Sequence, residues 1–98
     1  LILLKLLSQK DMYGYELIQE MSLLSEQVFA MSQGSLYPFL HGLEDRGLIQ
    51  SYTREAGGRE RRYYRLTPAG QGALEEKERQ WGIYTRAMER ILKGAWGG

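Results

Sequence analysis

Ser32-Gln33-Gly34-Ser35-Leu36-Tyr37-Pro38-Phe39-Leu40-His41-Gly42-Leu43-Glu44-Asp45-Arg46-Gly47 reads as a short amphipathic helix marked at both ends. Ser32 is an N-cap, since its hydroxyl can accept from the free backbone N–H groups two or three residues on. Leu36, Phe39, Leu40 and Leu43 fall on one helical face, and Gly47 stands where a glycine closes a helix. The opposite face presents Gly34, Pro38, His41 and Asp45, flanked by Ser35 and Tyr37, with Gln33 near the start. Pro38 removes one intrahelical hydrogen bond, so a loosened turn is expected near Gly34.

Upstream, Leu1-Ile2-Leu3-Leu4-Lys5-Leu6-Leu7 is apolar on more than one face and predicts a buried helix that ends at Ser8-Gln9-Lys10-Asp11. It is too short to span a bilayer and lacks the basic start and small-residue cleavage site of a signal peptide, so a cytoplasmic protein is expected. The first residue is not methionine, and residues before Leu1 are expected. Leu17, Ile18, Met21 and Leu24 return at helical spacing and mark a second helix. Three helices with a short, capped third one form a helix-turn-helix.

Downstream the period changes. Leu48 to Arg54 and Arg61 to Leu66 are rich in β-formers and flank Gly57-Gly58, which predicts a β-hairpin. Thr67-Pro68 then opens a long helix expected to reach about Ala95, with a loose Gly97-Gly98 end. The fold class is therefore mostly α with a small β-hairpin. A winged helix-turn-helix is expected over residues 1–67, with a C-terminal dimerisation helix over residues 68–98.

Ninety-eight residues with 43% hydrophobic composition suffice for one small core. There are no cysteines and one histidine, which excludes disulfide frameworks, thiolate zinc and thiol nucleophiles, and leaves no metal site or cofactor to expect. No nucleophile and base pair or phosphate-cradling loop stands out, so an enzyme is not expected. The net charge of +1 hides a segregation. Residues 1–53 carry three basic and six acidic side chains, residues 54–65 carry five arginines against two glutamates, and residues 66–98 carry five basic against four acidic. All the hairpin cations are arginine, the residue suited to forked contacts with phosphate oxygens. A basic hairpin directly after a helix-turn-helix is a wing, and double-stranded DNA is the expected partner.

Strand alternation places Arg61, Tyr63 and Arg65 on one face, and Arg62, Tyr64 and Leu66 on the inward one. Gln33 and Ser35 suit base edges or phosphates. Tyr37 suits either the same contacts or partial core packing, and His41 a surface position near DNA. The reading half of the helix contains no arginine or lysine, so forked recognition of guanine is unavailable there. That absence keeps a protein-interaction module that never touches DNA as the alternative function.

On the long helix, Leu74, Trp81, Met88 and Ala95 recur every seven residues, with Tyr84 and Ile91 between them and Lys77 interrupting. This is a short coiled-coil-like seam. A homodimer interface is expected from Leu3, Leu7, Leu74, Trp81, Tyr84, Met88 and Ile91. Trp81, with Tyr84 and Met88, is either plain interface core or the lining of a slot for a small planar aromatic effector.

Several motifs in one order carry a resemblance. Tyr13-Gly14-Tyr15-Glu16-Leu17, Gly34-Ser35-Leu36-Tyr37-Pro38-Phe39-Leu40 with Leu43-Glu44 and Gly47-Leu48-Ile49, and Gly58-Arg59 with Arg62-Tyr63-Tyr64-Arg65-Leu66-Thr67 and Gly70 closely resemble the PadR family of transcriptional regulators. The resemblance runs from about Leu1 to Leu74. It implies a winged helix-turn-helix that binds operator DNA as a homodimer and usually represses transcription, in the shorter subfamily with one C-terminal dimerisation helix. It also implies that Ser32 to Arg46 is the recognition helix, that Arg59 and Arg62 are wing residues near DNA, and that Gly14 and Tyr15 open the second helix close to a phosphate. Trp81 falls where multidrug-binding members of the family place a tryptophan that stacks on flat drugs.

Overall fold

The computed structural model describes residues 1–97, with side chains through residue 94. Gly98 and the side chain of Ala95, the last position of the expected seam, lie outside the described residues. Along the chain come α1 (Ile2–Gln9), β1 (Met12–Tyr13), α2 (Gly14–Leu24), α3 (Gln33–Asp45), β2 (Ile49–Ala56), β3 (Arg59–Leu66) and α4 (Pro68–Gly97). The expected order of helices and hairpin is present, and one element is new. Met12 and Tyr13 pair antiparallel with Tyr64 and Tyr63, which makes β3 the centre of a three-stranded sheet ordered β1-β3-β2. A two-residue strand shows no alternation of its own, so periodicity has nothing to detect.

The hairpin is in full register from Ile49 opposite Leu66 to Ala56 opposite Arg59. Its turn needs two residues in the left-handed region, and Gly57 and Gly58 supply φ values of 61° and 76°. Gly47 closes α3 at φ 73°. Thr67 joins three elements. Its hydroxyl accepts from Gly70 N at 3.0 Å and donates to the Gly47 carbonyl at 2.7 Å, while its own N–H donates to Leu48 O at 3.1 Å. The first turn of α4 is thereby fixed to the α3–β2 corner.

One core runs through the molecule. Leu4, Leu17, Leu36, Leu40, Ile49, Tyr64 and Leu74 are all fully buried and belong to it. Part of the expected interface also serves this core. Leu7 and Leu74 are buried in their own chain and Leu3 packs against the same cluster, because α1 and the start of α4 must cover the inner face of the sheet. The exposed stripe of α4 starts at Trp81. Trp81, Tyr84, Met88 and Ile91 are 56%, 56%, 42% and 68% exposed, far beyond what a solvated helix needs. Among the described residues no helix is long and apolar enough to cross a membrane.

Gly70 is where α4 approaches the corner most closely. A Cβ there would lie 2.0 Å from Leu48 O and 2.7 Å from Leu66 Cδ1. Backbone cannot yield as a side-chain end can, so Gly70→Ala is expected to cost more than about 2 kcal/mol. Gly72, two residues on, has open space, and Gly72→Ala should instead stabilise by roughly 0.5–1 kcal/mol. Thermal melting of the two variants, shifted in opposite directions, checks this close approach.

Candidate nucleic-acid interface

The cap expected at Ser32 forms. Ser32 Oγ accepts from Ser35 N at 3.2 Å and donates to Ser35 Oγ at the same distance. Ser35 thus takes part in the cap, and its hydroxyl keeps its own O–H donor and one further acceptor site. Gln33 and His41 are exposed, and the Tyr37 ring stands 6.4 Å from that of His41. Pro38 lies inside α3, leaving the Gly34 carbonyl without its partner four residues on.

Tyr37 is packed at one end and open at the other. It is 36% exposed, and its phenol end lies against the first turn of α2, where a Cβ on Gly14 would be 3.0 Å from Tyr37 Oη. Glycine at position 14 therefore lets the α3 tyrosine seat against α2. Beside it Tyr15 is half exposed, and Glu16 caps the helix by accepting from Tyr13 N at 3.3 Å.

The five hairpin arginines divide by face. Inward, Tyr64 is buried, and burial pushes its phenol above the ordinary tyrosine range. Two residues toward the tip, Arg62 shares this face, and its head does not stand free. Arg62 Nη2 donates to Ser51 Oγ at 2.8 Å, and Ser51 Oγ donates to Glu44 Oε2 at 2.5 Å. The same guanidinium nitrogen is 3.7 Å from Glu44 Oε2. Arg62, expected near DNA, ties the wing to the last turn of α3 while its side chain stays 60% exposed. Glu44 and Ser51 are the partners of Arg62 that the sequence did not reveal, because no spacing rule brings a helix position to a strand seven residues later.

Outward, Tyr13, Tyr63 and Tyr52 form a row across the three strands. Tyr13 meets Tyr63 edge-on at 5.4 Å, and Tyr52 stacks on Tyr63 at 5.8 Å. Arg54 lies over Tyr63 and Arg61 over Tyr13, each at 4.4 Å, with Arg65 5.9 Å from Tyr52. These covers explain why Tyr63 is buried on the solvent side of the sheet. Tyr52 also donates to Asp11 Oδ2 at 2.5 Å, and that bond holds its phenol above the ordinary value. Arg59 sits at the tip beside Gly58, exposed. Among the described residues no cluster of three or more His, Cys, Asp or Glu is placed to hold a metal.

A hollow of about 640 Å³ is lined by Leu1, Ile2, Phe29, Phe39 and Trp81 among others. Trp81 stacks on Tyr84 at 5.6 Å.

Comparison with known proteins places this geometry. Residues 3–76 match the model of the transcriptional regulator PadR-like family. The chain is 41% identical over 91 residues to the transcriptional regulator Rv3488 of Mycobacterium tuberculosis, covering 93% of this chain and 76% of that protein. A PadR family transcription regulator from Clostridium difficile superposes with a TM-score of 0.82 at 31% identity, over 93% of this chain and 94% of that one. A transcriptional regulator from Clostridium thermocellum gives 0.83 at 30% identity, over 94% and 90%.

The tie between Arg62 and Glu44 is partly exposed, and such pairs contribute about 0.5–1 kcal/mol at most. A double-mutant cycle of Arg62→Ala and Glu44→Gln, read by denaturant unfolding, should show coupling of that size. Coupling indistinguishable from zero would remove the tie.

Proposed function

From the premise that this chain belongs to the PadR-like transcriptional regulator family, whose members regulate transcription rather than catalyse reactions, we propose that it is a repressor that binds a pseudo-palindromic operator as a homodimer. The observation that carries this reading is the exposed polar face of a rigidly capped α3 beside a wing whose net charge is +3 over residues 54–65. Two recognition helices one helical turn of DNA apart, about 34 Å, enter successive major grooves. Gln33 and Ser35 meet base edges, Tyr15 and Tyr37 meet phosphate or sugar beside them, His41 lies along the same face, and Arg59 and Arg61 neutralise phosphates. Arg62 lies near the same backbone and also sets the wing against α3. The acidic body, −3 over residues 1–53, disfavours phosphates that the two heads do not fit.

The exposed stripe on α4 supports the homodimer. A helix of about 45 Å with Trp81, Tyr84, Met88 and Ile91 in the open is stabilised by a second copy that buries them. A planar aromatic effector between the subunits is the finer part of the proposal, supported by the accessible Trp81 at the rim of an apolar hollow. It acts only through a difference in its affinity for the two spacings of the heads. The protein works in the cytoplasm, where its DNA is.

Selection from random duplexes, followed by titration at several salt concentrations, tests the reading. With three or four phosphates neutralised per subunit, the log-log salt slope should be about −5 to −7. A slope near zero, or no enriched sequence, contradicts DNA binding and favours the protein-interaction module. Arg59→Ala should weaken all sequences alike, and Gln33→Ala should change which sequences are preferred.

Sedimentation equilibrium should give twice the chain mass for the wild type and the single-chain mass for Trp81→Glu combined with Met88→Glu. A monomeric wild type contradicts the dimer. Quenching of Trp81 by flat aromatics, with Trp96 replaced by phenylalanine, reports the effector site, and no quenching across a broad aromatic panel leaves Trp81 as packing.

A further inference from the structure

In an α-helix each carbonyl accepts from the N–H four residues on. Pro38 stands in the second turn of α3 and has no N–H to give, so the Gly34 carbonyl lacks its regular partner. The acceptors before it are taken. Ser32 O accepts from Leu36 N at 2.9 Å and from Ser35 N at 3.2 Å, and the Tyr37 N–H belongs to the Gln33 carbonyl by the same four-residue rule. Among the described residues the side-chain donors that reach backbone carbonyls all serve others. Gly34 and Pro38 are both exposed, so the free acceptor lies open on the polar face of α3.

The fold itself asks for neither residue. Proline is the least favourable residue in a helix interior, and the exposed Pro38 belongs to no part of the core. The left-handed region, which favours glycine, is occupied among the described glycines by Gly47, Gly57 and Gly58 and not by Gly34. A Cβ on Gly34 would meet only Ser32 Oγ, at 3.9 Å, which is ordinary contact. Space and backbone both allow a side chain at position 34, and its absence uncovers the carbonyl. The chemistry of the face gives that carbonyl a task. From Gln33 to His41 there is no aspartate, glutamate, lysine or arginine. The side chains of Gln33, Ser35 and Tyr37 each donate as well as accept, so each can turn to any base. A carbonyl only accepts. In the major groove adenine and cytosine present an amino donor, while guanine and thymine present acceptors alone.

We propose that the Gly34 carbonyl, freed by Pro38, is a specificity-determining group that accepts from the exocyclic amino group of an adenine or cytosine in each half of the operator. The proposal rests on the reading of α3 as the element that enters the major groove. It gives Pro38 the role of keeping the acceptor unpaired and Gly34 the role of keeping it uncovered. It also supplies what the flexible side chains beside it cannot, a fixed preference for amino bases over keto bases at one position.

The test uses the full chain and the operator recovered by selection. Each adenine of both half-sites is replaced in turn by purine, which lacks the 6-amino group, and each cytosine by pyrimidin-2-one, which lacks the 4-amino group. The same replacements in a flank set the baseline. At one position the loss of the amino group should weaken wild-type binding about fivefold or more, and the analogue that does so tells adenine from cytosine. Pro38→Ala supplies the missing N–H. It should raise the melting temperature, bind the normal and the amino-free duplex within about twofold of each other, and lose base preference at that position alone in a repeated selection. Gly34→Ala should melt no lower than the wild type and yet weaken the normal operator about fivefold or more. An amino penalty of the same size in Pro38→Ala as in the wild type overturns the proposal and leaves DNA binding by α3 standing, as does wild-type binding indifferent to every amino group. A wild type that enriches no duplex removes the underlying reading and the proposal with it.

Discussion

The alternation of side chains along β3 is the constraint on which the rest of this structure depends. β3 is the central strand, hydrogen-bonded on both sides, so its register cannot slip by one residue without exchanging Tyr64 for Tyr63 in the core. Tyr64 and Leu66 face the helices and close the core with Leu4, Leu36 and Ile49. Tyr63 faces outward and gathers Tyr13, Tyr52 and Arg54 around it. The same two-residue period sends Arg62 to Ser51 and Glu44, and sends Arg61 and Arg65 to the outer face. Core closure, attachment of the wing to α3 and the distribution of wing charge are one geometric fact.

That fact explains how a chain of net charge +1 serves as a DNA-binding regulator of the PadR-like family. Positive charge is concentrated on one element and one face of it, while the body stays acidic. α3 carries hydrogen-bonding groups with little charge, and it is fixed by the Ser32 cap and the seat of Tyr37 on Gly14. In the proposed function, sequence reading and long-range attraction fall to different elements.

Much of this was legible in the sequence because it is local. The Ser32 cap, the Gly57-Gly58 turn, the Thr67-Pro68 start and the inward side of Tyr64 each follow from a few neighbouring residues. What was not legible is contact between distant positions. Met12 and Tyr13 form a strand only because Tyr63 and Tyr64 are there to pair with. Leu74 fits the seven-residue seam as well as Trp81 does, and only the packing of α4 on α1 and the sheet separates a core residue from an exposed one. Arg62 shows the same limit, since alternation gave its face and only the fold supplied Glu44.

The central claim is that α3 and the wing form a single surface for duplex DNA, set by β3. The most direct test is an NMR titration of the ¹⁵N-labelled protein with its selected operator, following backbone amides and arginine Nε–H groups together. Shifts should concentrate on Gln33 to His41 and on the wing arginine Nε–H groups, with Tyr64 and the other core amides of β3 unmoved. Shifts confined to α4 and the hollow at Trp81, with α3 and the wing silent, would contradict the account.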